Sequence, residues 1–133
     1  MIETRRHGVL ALAAAGAMVL GAGAAGAAQA ATHAAKASGT TLKLSAEPNA
    51  LKFSVAKLTA KPGKVTLVMS NPSSMQHDIA LKGGGLKSPV VGKVVGKGKT
   101  STITATLKKG TYEFYCSVPG HEQAGMRGTL TVT

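Results

Sequence analysis

The chain has 133 residues, a formal net charge of +11 from 16 Lys and Arg against 5 Asp and Glu, and 44% hydrophobic residues. That length suits one domain, and a single cysteine rules out an internal disulfide. Two Tyr, two Phe and no Trp leave too little stacking surface for a single-stranded nucleic-acid binder.

The first thirty residues read as an address rather than as fold. Arg5 and Arg6 precede an almost unbroken Ala/Gly/Leu/Val run from Gly8 to Ala28, and Ala28-Gln29-Ala30 supplies an Ala-x-Ala cleavage signature. That order predicts a secretory signal peptide over residues 1–30. The run is also long enough to span a bilayer as an uncleaved anchor, although its Gly and Ala content makes it weakly apolar. The paired arginines faintly resemble a twin-arginine signal with Gly8 where a bulky apolar residue is expected, so Sec and Tat routes both stay open. The expected location is outside the cytoplasm: periplasmic, secreted or on the outer face of the membrane. Without Glu3, Arg5 and Arg6 the net charge falls from +11 to +10, so the basic character belongs to the remainder.

Residues 31–39, small and polar, predict a flexible lead-in, and residues 40–133 a single domain. Within it apolar residues alternate: Leu42, Leu44 and Ala46; Leu51, Phe53 and Val55; Val65, Leu67 and Met69; Ile103, Ala105 and Leu107; Leu130 and Val132. Period-two patterning is the mark of half-buried strands. Pro48-Asn49, Pro62-Gly63, Asn71-Pro72 and Lys109-Gly110 punctuate them as turns. The lysine-rich stretch 82–99 reads as a loop with a short edge strand, its charges discouraging edge-to-edge pairing. Seven to eight short strands in about 100 residues predict an all-β, Greek-key antiparallel β-sandwich.

Strand parity places the chemistry. In Thr111–Cys116, Tyr112, Phe114 and Cys116 share a face. In His77–Leu81, His77, Ile79 and Leu81 do the same. Four residues separate Cys116 from His121 and four more separate His121 from Met126, in a loop whose Pro119, Gly120 and Gly125 permit a tight return. Singly, such residues are more often a small buried hydrophobe, a hydrogen-bonded polar group and a packing side chain. Together, one thiolate, two imidazoles and a thioether are the donor set of a blue-copper site, a trigonal His₂Cys plane with a weak axial Met.

With "QHDIAL" and "CSVPGHEQAGM" in this order, the chain resembles a cupredoxin, a small type 1 copper protein of the plastocyanin and azurin kind, over roughly residues 40–133. The resemblance implies one copper ion held by His77, Cys116, His121 and Met126. It also implies a supporting backbone N–H from Asp78 to the Cys116 sulfur, at a position where the family commonly has Asn. Plastocyanins usually have two residues between Cys and His, and azurins three between His and Met, so the subfamily stays open. The function expected is a non-enzymatic shuttle of single electrons, with copper storage or delivery as the alternative. His77 and His121 are the two histidines outside the signal and lead-in, too few for a second copper centre. A monomer docking on redox partners, some of them acidic, is the expected mode of action.

Overall fold

The computed structural model describes residues 39–133, so the signal peptide and the lead-in as far as Ser38 lie outside the described residues. Eight strands form in the order β1 (Thr40–Ser45), β2 (Lys57–Ala60), β3 (Gly63–Asn71), β4 (Ala80–Gly83), β5 (Val90–Val91), β6 (Lys99–Leu107), β7 (Gly110–Tyr115) and β8 (Arg127–Val132). Among these residues no helix is long and apolar enough to cross a membrane.

The strands build two facing sheets, β1-β3-β6 and β2-β8-β7-β4-β5. This is the all-β sandwich expected, with a difference in pairing. The pairs β3–β6, β4–β5, β4–β7 and β7–β8 are antiparallel, whereas β1–β3 and β2–β8 are parallel. The reason is that β1, β2 and β3 follow one another in sequence but alternate between sheets. No hairpin joins any of them to its neighbour in sequence, so the antiparallel geometry that hairpins impose does not apply.

A second difference falls at Leu51–Val55, where alternation predicts a strand. The backbone there crosses from one sheet to the other, and Phe53 keeps only an isolated bridge to Ala46 before β2 begins at Lys57. The alternation is a signal of burial, and burial is what Phe53 achieves: its ring sits 5.6 Å from Phe114, centroid to centroid, between the sheets.

The inward faces supply the core. Leu44, Val65, Leu67, Met69, Ile103 and Leu107 come from one sheet, and Leu81, Tyr112, Phe114, Leu130 and Val132 from the other, all buried. Each such side chain contributes about 1.5–3 kcal/mol through removal from water. The short β5 lies at the sheet edge beside Lys87 and Lys93, as the lysine-rich stretch predicts.

Register then gathers three loops at one pole. Asn71 pairs with Lys99, Ala80 with Tyr115, and Tyr115 with Arg127, so segments 72–79, 92–98 and 116–126 meet there. The opposite pole carries the turns around Lys61 and Lys108, where Gly63 pairs with Leu107 and Gly110 with Val132.

Candidate metal centre

His77 sits just before β4, where an extended segment needs a second partner to fix it. The second partner is Val95: His77 N–H donates to the Val95 carbonyl at 3.1 Å, and Val95 N–H returns a bond at 2.8 Å. Asn71, buried at the end of β3, secures both segments. Its amide nitrogen donates to the carbonyls of Met75 (2.8 Å) and Val95 (2.9 Å), while its Oδ1 accepts from Ser73 N–H (3.0 Å). An unpaired buried amide costs about 1–3 kcal/mol, so this fully used one locks the frame around His77.

Cys116 leaves the end of β7. Its N–H donates to the Met126 carbonyl at 3.0 Å, which closes the base of the loop. Inside that loop His121 N–H donates to the Val118 carbonyl at 3.1 Å, and Met126 N–H to the His121 carbonyl at 3.0 Å. The reversal needs left-handed backbone at Gly120 (φ +84°) and Gly125 (φ +109°), which glycine adopts without Cβ strain.

The four residues read from the sequence end up as follows. His77 Nδ1, Cys116 Sγ and His121 Nδ1 converge, and all three residues are buried. The Nδ1 atoms are 3.2 Å apart, and the sulfur lies 3.5 Å from that of His121 and 3.9 Å from that of His77. A circle through three atoms so spaced has a radius of about 2.1 Å, the length of a transition-metal bond to imidazole nitrogen and close to that to thiolate. The triangle therefore fits one ion. The Met126 side chain is fully buried in the core at the loop base. His121, at 8% exposure against 0–1% for the other three, is the one nearest solvent.

Electrostatics favour neutral donors when no cation is present. Burial, and then the charge of His121, push the His77 imidazole below its ordinary value of 6.5, with Asp78 opposing. Burial raises the Cys116 thiol from 9.0 to about 11, against the lowering effect of hydrogen bonds from the N–H groups of Asp78 and Val118. Asp78 N–H lies 3.5 Å from Sγ, as the family pattern implies.

Two features were not legible in the sequence. The Asp78 carboxylate, fully buried, accepts hydrogen bonds from both the N–H (2.6 Å) and the hydroxyl of Ser117. Lys82 pairs with Glu113 at 3.1 Å and with Glu122, and its Nζ stands 4.4 Å from the centre of the Tyr115 ring. That cluster ties the residue after His121 to β4 and β7. Neither could be found from spacing, because Asp78 and Ser117 are 39 residues apart and Lys82 and Glu122 are 40 apart, so only the folded chain brings them together.

The family model described as "Copper binding proteins, plastocyanin/azurin family" matches residues 40–133. The chain is similar to the copper-resistant cuproprotein CopI of Pseudomonas aeruginosa, 52% identical over 40 residues, which are 29% of this chain and 22% of that protein. It is also similar to auracyanin-B of Chloroflexus aurantiacus, 51% identical over 37 residues, 27% of this chain and 16% of that one. The matches thus span about a fifth of these relatives' lengths. Among solved structures, dithionite-reduced auracyanin from Roseiflexus castenholzii superposes with a TM-score of 0.65 at 26% identity, covering 71% of this chain and 97% of that one.

Proposed function

The chain belongs to the plastocyanin/azurin family of copper-binding proteins, and from that premise we propose that it carries single electrons between redox partners through one type 1 copper ligated by His77, Cys116, His121 and Met126. The observation that carries this reading is the buried triangle of two imidazole nitrogens and one sulfur, 3.2–3.9 Å apart. Its soft and borderline donors suit copper. When bound, copper supplies one-electron chemistry by cycling between Cu(I) and Cu(II).

The chain's own contribution is rigidity. Asn71 holds the His77 segment, the Cys116–Met126 backbone bond holds the loop, and Asp78 joins the two through Ser117. Donors so fixed do not need to rearrange when an electron moves. His121, the most exposed of the four, offers its ring as the outward route, beside Val118, Pro119 and Gly120. The high positive charge steers the protein towards acidic partners, at rates that fall as salt rises.

His77 and His121, the two histidines among the described residues, both belong to the triangle. A second copper centre of the kind that reduces oxygen or nitrite would need more, which favours a carrier over an enzyme. The leader composition supports an exported location.

Adding Cu(II) to purified protein and recording its visible spectrum tests the reading. An intense blue colour from thiolate-to-copper charge transfer is expected, and no strong visible band would overturn it. The second reading, storage or delivery of copper, is favoured by the similarity to a copper-resistant cuproprotein. Loaded protein that keeps its metal through repeated reduction and reoxidation supports the shuttle, whereas rapid transfer to a competing chelator supports delivery.

A further inference from the structure

The pole opposite the metal centre has a chemistry of its own. Lys61 in the β2–β3 turn, Lys64 at the start of β3, Lys87 after the β4 turn, and Lys108 and Lys109 between β6 and β7 are all exposed. The turns that carry them are held together: Gly63 pairs with Leu107, Gly110 with Val132, and Thr133 N–H donates to the Ala60 carbonyl. The side-chain acids of residues 39–133 lie elsewhere. Glu47 is in the segment after β1 and Asp78 is beside His77, while Glu113 and Glu122 are both occupied by Lys82. The far pole is therefore a lysine surface without a carboxylate side chain among the described residues.

Two further observations bear on what it meets. The large apolar side chains exposed among the described residues are Met75, Val91 and Val94, none of them in these turns. A protein interface is expected to hold an apolar or aromatic anchor at its centre, whereas attraction to lipid headgroups needs only charge. In addition, the chain enters the sandwich at this pole. Gly39 lies against Lys64, and Thr40 pairs with Val65, so whatever part of residues 1–38 the protein keeps is delivered there.

We infer that the far pole docks on an anionic phospholipid surface through Lys61, Lys64, Lys87, Lys108 and Lys109, leaving the metal-centre pole facing away from the bilayer. The site stays open to partners while the protein moves over the membrane. Each lysine near such a surface strengthens binding about fivefold, and salt weakens it.

Vesicle co-sedimentation of the full chain tests this, comparing phosphatidylcholine alone with phosphatidylcholine containing phosphatidylglycerol. Replacing Lys61, Lys64, Lys108 and Lys109 together by Gln should reduce the phosphatidylglycerol-dependent binding at least tenfold. Replacing Lys52, Lys93, Lys97 and Lys99 by Gln removes equal charge and should reduce it less than threefold. Far-UV circular dichroism on both variants verifies the fold, and in the unmodified chain the same binding must fall between 50 and 500 mM salt. No phosphatidylglycerol dependence, or an equal loss in the two variants, overturns the inference. So does lysine-dependent binding to polyglutamate without vesicle binding, which would identify an acidic protein as the partner.

Discussion

The carboxylate of Asp78 receives both the N–H and the hydroxyl of Ser117, so the residue after His77 is joined to the residue after Cys116. The same residue's N–H lies 3.5 Å from the Cys116 sulfur. One side chain and one amide thus set the spacing between the segment before β4 and the segment after β7. Asp78→Ala should destabilise the metal-free protein by about 1–2 kcal/mol, because it leaves the half-buried N–H and hydroxyl of Ser117 without their acceptor. Asp78→Asn keeps an acceptor and should cost less. In copper-loaded protein, Asp78→Asn should raise the reduction potential by on the order of tens of millivolts, since it removes a negative charge that favours Cu(II). Urea denaturation and redox titration measure the two effects. Equal stabilities for Ala and Asn would show that the clasp is not what holds the donors.

The donors differ in what their loss should do. Cys116→Ser removes the sulfur responsible for charge transfer and should abolish the blue colour. Met126→Gln replaces a thioether with a harder amide oxygen, which should preserve the colour and lower the potential. A Met126→Gln protein with unchanged spectrum and potential would remove Met126 from the ligand set.

The metal-free protein should lose stability in acid through His77. Its imidazole is held below 6.5 by burial and by His121, so the unfolded chain binds a proton more readily than the folded one. This contribution is present above pH 6.5 and is lost as pH falls through the folded value. Thermal melts between pH 7.5 and 5 should therefore show a falling Tm, with a shallower slope for His77→Gln. Cys116 acts at the other end: with its thiol raised from 9.0 to about 11, its contribution is complete below pH 9 and is lost as pH rises through 11. The thiol is protonated at pH 7 at either value, so copper loading there releases its proton, which a pH indicator in weakly buffered solution would detect.

What the sequence made legible divides along physical lines. Alternation at Val65–Met69 and Ile103–Leu107 exposed the inward faces of β3 and β6, because burial on one side of a strand leaves a period of two. The meeting of Cys116 with His121 was legible because the two lie five positions apart in one loop. Phe53 misled, since a buried residue in a crossing segment has the same alternation as one in a strand. The parallel pairing of β1 with β3 was hidden for a different reason. Sheet membership depends on where the chain crosses, and no residue type encodes that. Asn71 read as turn punctuation, yet its side chain holds the frame of His77 by bonds to Met75 and Val95 that only the folded chain brings within reach.

Stability and redox function should be separable at the far end of β7. The hydroxyl of the buried Tyr112 donates to the Lys108 carbonyl at 2.8 Å and accepts from Lys108 N–H at 3.1 Å, a tyrosine corner pinning the β6–β7 turn. Its ring leaves no room beside Gly84, where a Cβ would lie 2.2 Å from Tyr112 Cε1 and φ is +57°. Tyr112→Phe should cost about 1–2 kcal/mol by leaving the Lys108 amide groups without that partner, which for a domain of this size lowers Tm by roughly 4–8 °C per kcal/mol. Gly84→Ala should cost more, since it adds a clash with a core ring to a strained backbone. Neither residue is near the loops that carry the donors. Scanning calorimetry should therefore show both losses of stability while the visible spectrum and potential of the copper-loaded variants stay as in the unmodified chain. A shifted spectrum in Tyr112→Phe would mean that the two poles of the sandwich are mechanically coupled.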